Sequence, residues 1–161
     1  MVGGDDWPAW REIRLRALLD SPSAFGSTYA REIGFAESDW RRRLEEPDAV
    51  SVLVLDDGRP VGMGGAYQDQ PGWLHVVAMW VDPVARGRGV AHLLLRALEG
   101  WAAERGLGLH LDVNTANAVA RRFYERYGFV GTGETRPLRE GAAEVKERMV
   151  LSRLSGTPGS R

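Results

Sequence analysis

The sequence contains no cysteine, which removes disulfide scaffolds, thiolate metal sites and a cysteine nucleophile from consideration. No apolar run reaches the ~18–20 residues that a membrane helix needs, so no membrane partner is expected. A basic surplus is lacking too. The formal net charge is -1, whereas a nucleic-acid binder normally carries enough positive charge to displace condensed counterions. Arginine dominates the positive charges and clusters locally, but no nucleic-acid partner is expected. The first residues, MVGGDDWPAW, have neither the basic n-region nor the apolar h-region of a secretory leader, and the expected location is cytoplasmic. What is present is 161 residues with 43% hydrophobic and 27% charged content, the profile of an ordinary globular chain of a length that usually forms one core. No repeat or linker divides it. Residues 1–154 therefore read as one domain and residues 155–161 as a frayed tail.

Periodicity gives the order of elements. Residues 7–19 carry apolar side chains at helical spacing, with Pro8 suited to a first turn and the cluster Asp20-Ser21-Pro22 as a stop. Residues 23–34 read as loop or short helix, and a charged helix follows from Ser38 to Glu45, ended by Pro47. The period then changes. Residues 50–55 and 60–67 form a predicted hairpin around the turn signal Asp56-Asp57-Gly58. Residues 73–81 form an apolar run typical of a central strand buried on both faces. Residues 90–105 are the strongest helix, with a stripe of Val90, Leu93, Leu94, Ala97, Leu98 and Trp101, and Gly106 as its stop. A strand at 107–113, a helix at 116–127 ending at Gly128, and strands at 129–132 and 144–151 complete the chain. The expected fold class is α/β, a mixed sheet with helices on its faces.

The most informative stretch joins the apolar strand to the strongest helix: Val81-Asp82-Pro83-Val84-Ala85-Arg86-Gly87-Arg88-Gly89-Val90-Ala91-His92. A helix start exposes backbone N–H groups and the positive end of the helix dipole. Glycine lets an anion approach the backbone closely. The segment reads as a pyrophosphate site to which Arg86 and Arg88 add charge. It is not a P-loop, since Val90-Ala91 follows the second glycine in place of Lys-Ser/Thr, and it is not a dinucleotide fingerprint, since His92 stands where a third glycine or alanine belongs. The alternative is that Gly87 and Gly89 only shape a strand-to-helix turn.

A second constellation lies in the next helix. Asn117 and Tyr124 are seven residues apart, which puts them about 20° apart around the helix, at one edge of an apolar face of Ala116, Ala120, Phe123 and Tyr127. Such a pair can bind a ligand while the face packs on the sheet. The alternative makes Asn117 a helix cap and Tyr124 a boundary aromatic.

Arg86-x-x-Gly89-x-Ala91, followed about 25 residues later by Asn117-x-x-Ala120-x-x-Phe123-Tyr124-x-x-x-Gly128-Phe129, resembles the paired motifs of the GNAT acetyltransferase superfamily. The likeness covers residues 50–151 and extends to the front helices through Arg14-Leu15-Arg16-Ala17-Leu18 and Pro22-Ser23-Ala24-Phe25-Gly26, as in small bacterial members. It implies a mostly antiparallel central sheet of about six strands with helices on both faces. It also implies an N-acetyltransferase that moves acetyl from acetyl-CoA, as co-substrate and without a metal, to a primary amine of a small molecule or peptide. By the resemblance, Gly87, Arg88, Gly89, Val90 and Ala91 join Arg86 in holding the coenzyme A pyrophosphate. Met79, Trp80 and Val81 pair with the pantetheine arm as a pseudo-strand, Asn117 and Asn114 lie along that arm, and Tyr124 is the general acid for the departing thiolate.

The base is less defined. Some members use a glutamate on the central strand. Here that strand carries no carboxylate, and His75, its titratable group, is the first candidate against the alternative of a packed strand histidine. Glu32, Asp112 and a solvent chain are the others. Phe25, Tyr29, Tyr67, Trp73 and Trp80 are candidates to line the acceptor site or to belong to the core. Members normally begin with a strand before the first helix, which is missing or vestigial here and leaves that sheet edge open or covered by a partner. Homodimers are common in the family. A non-catalytic acetyl-CoA-binding regulatory module and a nucleotide-binding protein of another class are the alternative functions.

Overall fold

The computed structural model describes residues 1–152. It contains six strands and five α-helices among them, and the expected tail at 155–161 lies outside the described residues. The chain divides into two compact units, Met1–Leu107 and the part from Gly108 onward.

The first unit opens with α1 (Trp7–Asp20), which has Pro8 in its first turn and buries Trp10, Ile13, Leu15, Ala17 and Leu18. Two short helices follow. Thr28 caps α2 (Tyr29–Glu32) by accepting a hydrogen bond from the Arg31 N–H at 3.2 Å, and the Asp39 carboxylate accepts from the Ala36 N–H at the start of α3 (Glu37–Leu44). These helices enclose a core of Trp10, Ile13, Leu18, Phe25 and Trp40 that continues onto Met63 and Trp80 of the strands. No helix of the described residues is long and apolar enough to cross a membrane.

Strands β1 (Ala49–Asp56), β2 (Arg59–Gln70) and β3 (Trp73–Val81) pair antiparallel in that order. The β1–β2 turn has Asp57 at φ 50° and Gly58 at φ 78°, the left-handed pair that a two-residue hairpin turn requires. β2 is covered on both faces, which explains its unbroken burial from Pro60 to Ala66. Met63 points into the α1 core, while Gly62 and Gly64 face α4 (Val90–Ala103). The α4 stripe is rotated from the one predicted. Val90, Leu94, Leu95, Leu98 and Ala102 are buried, whereas Leu93 is 55% exposed, because the helix packs through its i, i+4 row rather than i, i+3. Gly106, at φ 67°, ends the helix as expected, with the Leu107 N–H returning to the Ala102 carbonyl.

No strand precedes α1 among the described residues. Its vestige is a single rung, the Val2 N–H donating to the Ser51 carbonyl of β1 at 3.0 Å.

In the second unit, β4 (Gly108–Asn114), β6 (Val145–Leu151) and β5 (Phe129–Pro137) pair antiparallel in that order. α5 (Ala118–Tyr127) begins two residues later than expected, leaving Ala116 exposed ahead of it rather than on its apolar face. Arg121 ties the helix to Glu147 of β6 at 2.8 Å, and Phe129 is buried beneath it.

Candidate active site

β3 is interrupted. Met63 pairs with Trp80 and Gly65 with Val77, so Gly64 alone stands opposite Ala78 and Met79. This is a β-bulge, and Ala78 adopts φ 57° there, a left-handed conformation that a non-glycine residue reaches only at a cost. A Cβ on Gly64 would lie 2.8 Å from the Met79 Sδ, so the missing side chain gives Met79 its room. Nothing in the period of the sequence signals the bulge, since alanine is an ordinary residue in a buried strand.

Beyond the bulge, the Asp82 N–H donates to the Val61 carbonyl at 2.8 Å. The alternation of an antiparallel ladder then turns the N–H and C=O of Val81 away from β2, as pairing with an extended ligand requires. Asp82 is buried and fixes the turn. It accepts from the Val84 N–H at 3.0 Å and pairs with Arg16 of α1. After Pro83–Ala85, Gly87 and Gly89 stand at φ 78° and 79°, and no atom lies within 4 Å of a Cβ placed on either. Gly89 is the N-cap of α4 and offers no side-chain cap. The first turn of this helix therefore faces open space with its backbone N–H groups forward.

The side chains of the loop divide. Arg88 is exposed, 3.7 Å from Asp56. Arg86 folds back, its Nε donating to the Val81 carbonyl at 3.0 Å and its Nη2 to Asp20 at 3.0 Å. Trp80 is buried, and its indole N–H also reaches Asp20. The Ser21 hydroxyl and the Trp80 indole hold the Asp20 carboxyl below its ordinary pKa. Val90 is buried and Ala91 half-buried at the head of α4.

In the second unit, Asn114 and Asn117 meet at the head of α5. Asn114 Oδ1 accepts from the Ala116 N–H at 2.9 Å, the Asn117 N–H donates to the Asn114 carbonyl, and Asn117 Oδ1 caps the helix by accepting from the Ala120 N–H at 3.1 Å. The capping contact fixes the Asn117 carboxamide with its oxygen inward and its NH2 outward. Two turns along, the half-buried Tyr124 packs edge-on to Phe123 and Phe129 at 5.5 and 5.7 Å. Burial pushes its phenol up to about 12.

The candidate bases differ in their surroundings. His75 is half-buried on β3, opposite Tyr67 in register, with the rings edge-on at 5.5 Å. Glu32 is fully buried. Burial opposes its ionisation, but Arg14, through two contacts, and Arg43 at 2.6 Å hold it below the ordinary carboxyl range; it anchors the helices. Asp112 is gripped by Arg148 at 2.7 Å, whose Nη1 lies 2.9 Å from Nδ1 of the buried His110. Of the aromatics considered for an acceptor site, Phe25 and Trp80 belong to the core, Tyr29 and Trp73 are half-buried, and Tyr67 is exposed.

The chain belongs to the acetyltransferase (GNAT) family, whose model matches residues 7–129, and it is an acetyltransferase by that membership. It is 36% identical over 108 residues to an acetyltransferase of Agrobacterium fabrum, covering 66% of this chain and 72% of that one. It is 35% identical over 144 residues to the mycothiol acetyltransferase of Brachybacterium faecium, covering 83% of this chain and 40% of the relative. It is 40% identical over 115 residues to the streptothricin acetyltransferase of Streptomyces lavendulae, covering 68% and 61%. The chain thus spans less than two thirds of the length of the last two relatives. Among solved structures, a GNAT acetyltransferase of Streptococcus pneumoniae matches with a TM-score of 0.75 at 19% identity over 92% of this chain and 95% of that one. A candidate streptothricin acetyltransferase of Bacillus anthracis, solved with acetyl coenzyme A, matches with a TM-score of 0.64 at 22% identity over 79% and 73%. The expected α/β GNAT fold is the fold of this chain.

Proposed function

We propose that residues 1–154 act as one domain that transfers acetyl from acetyl-CoA to a primary amine of a small molecule or peptide by direct transfer. The observation that carries this reading is the start of α4, where two open left-handed glycines lead into an uncapped helix end. Backbone N–H groups at residues 87–91 hold the diphosphate, and the outward backbone groups of Val81, with Met79 and Trp80, pair with the pantetheine arm. Asn114 and Asn117 flank that arm, the outward NH2 of Asn117 supplying a donor. The relatives named for mycothiol and for streptothricin support an acceptor that varies from member to member.

In the reaction the amine attacks the thioester carbonyl, a C–N bond forms and the C–S bond breaks. His75 takes a proton from the nitrogen, and Tyr124 donates to the departing thiolate. Burial favours the neutral form of both phenol and thiol, so it weakens both as acids together and keeps the phenol a protonated donor to the sulfur. The test is thiol release from acetyl-CoA across an amine panel, with a crystal structure of the cofactor complex. Transfer to at least one amine, with the diphosphate at the α4 start, is expected. Binding without turnover on any amine, or a diphosphate seated elsewhere, overturns the reading.

A further inference from the structure

Asp20 is the last residue of α1 and lies outside every segment that the cofactor would touch. Three donors converge on one oxygen of its carboxylate: the Ser21 hydroxyl at 2.7 Å, the Trp80 indole N–H at 3.0 Å and Arg86 Nη2 at 3.0 Å. Two of these come from 60 and 66 residues further along the chain. Trp80 belongs to the strand that would pair with the pantetheine arm, and Arg86 opens the diphosphate loop.

The Arg86 guanidinium uses one side of its planar fork for both contacts. Its Nε–H goes to the Val81 carbonyl at 3.0 Å and its adjacent Nη2–H to Asp20. The fork is rigid, so the position of Asp20 dictates where the Nε–H points. Val81 is the residue whose backbone groups are turned away from β2. Its carbonyl has two lone pairs, so Arg86 can hold the peptide plane by one of them and leave the other for a ligand. The contacts run from the end of α1 through one arginine to the last residue of the bulged strand.

We propose that Asp20 is a positioning residue for cofactor binding, whose carboxylate aims the Arg86 guanidinium at the Val81 carbonyl and thereby fixes the strand edge and the loop entrance that receive acetyl-CoA. The inference rests on the reading of β3 and residues 86–91 as the cofactor site. Without Asp20, Arg86 keeps only one of its two partners. Its side chain, 52% exposed, then samples other rotamers, and the Val81 peptide loses its brace.

The test compares the dissociation constant of acetyl-CoA, measured by calorimetry, for the full chain and for Asp20→Ala, Asp20→Asn, Arg86→Ala and the Asp20→Ala/Arg86→Ala pair, with melting temperatures alongside. Asp20→Ala is expected to weaken binding about fivefold, the scale of a partly exposed ion pair. Asp20→Asn, which still accepts from Trp80, should lose about half of that factor on a logarithmic scale. The KM for acetyl-CoA should rise while kcat and the acceptor KM hold. Because Asp20 acts through Arg86, the double variant should bind no more weakly than Arg86→Ala alone. Unchanged affinity in both Asp20 variants, or additive losses in the pair, overturns the proposal. So does tighter binding, which would make Asp20 a competitor that withholds Arg86 from the diphosphate. A wild-type chain that does not bind acetyl-CoA overturns the cofactor site itself; one that binds it normally with no Asp20 effect overturns only the positioning role.

Discussion

Gly62 of β2 lies directly beneath Val90, the first residue of α4, and a methyl group on Gly62 would overlap the Val90 Cγ1 and press on Leu94. The close approach sets the height of the helix start above the sheet, and with it the position of the N–H groups that would meet a diphosphate. Gly62→Ala should therefore cost about 1–3 kcal/mol of stability, as overpacking of a filled core does. It should also raise the dissociation constant of acetyl-CoA. Urea unfolding and calorimetry measure the two effects, and a variant as stable as wild type with undiminished affinity would show that the packing is not tight.

Ala78 holds φ 57° at the β3 bulge. A left-handed alanine costs roughly 1–2 kcal/mol and a glycine is penalised in the unfolded chain by roughly 0.5–1 kcal/mol, so the two nearly balance with the native strain ahead. Ala78→Gly should leave stability unchanged or raise it by up to about 1 kcal/mol. The same exchange at the buried Ala66 of β2, where φ is ordinary, should be destabilising. Parallel urea titrations of the two variants decide it, and equal losses at both positions would remove the strain argument.

Glu32 is the single carboxylate between Arg14 and Arg43, and its side chain has no exposed surface. Removing its charge leaves the guanidiniums without their counterion, at a cost of about 3–5 kcal/mol for Glu32→Gln. The pH dependence has a definite sign. The folded pKa lies below the ordinary value of 4.5, so the stabilisation is full above pH 4.5 and is lost as the pH falls through the folded pKa. Wild type should lose stability on acidification in that range more steeply than Glu32→Gln. Parallel curves for the two would separate Glu32 from the acid response.

The sequence exposed these features unevenly. Strong periodicity located α1 and β3, and turn chemistry located the Asp57-Gly58 hairpin and the Gly106 stop, because each depends on local spacing or on a conformation that one residue type prefers. The rotation of the α4 stripe was hidden. Leucine occupies positions 93, 94 and 95, so hydrophobicity alone does not choose a face; the glycines of β2 choose it. The open turn at Gly87 and Gly89 leading into an uncapped helix was legible because glycine and a helix start are marked by residue type and period. The roles of Glu32 and Asp20 were not, since each depends on partners up to 66 residues distant in the chain. Asn117 is a helix cap in this structure, and the capping leaves its NH2 available, so the alternatives weighed from its position are compatible.

On the proposed mechanism, replacing Tyr124 should separate binding from chemistry. Its phenol, pushed up to about 12 by burial, stays protonated throughout the neutral and mildly alkaline range. Tyr124→Phe removes the hydroxyl and keeps the ring against Phe123 and Phe129, so packing and cofactor affinity should be preserved. The acetylation rate should fall by ~10²-fold or more, the usual worth of a positioned acid, with the KM for acetyl-CoA nearly constant. Because the raised pKa lies above the accessible range, wild-type kcat should show no alkaline decline assignable to this group below about pH 10, while any rise on the acid side reports the base. Tyr124→Phe should preserve that acid limb at reduced height. Single-turnover rates and a pH profile of both forms measure this. Equal losses in affinity and rate, or an alkaline limb that disappears in Tyr124→Phe, would take the acid role away from Tyr124.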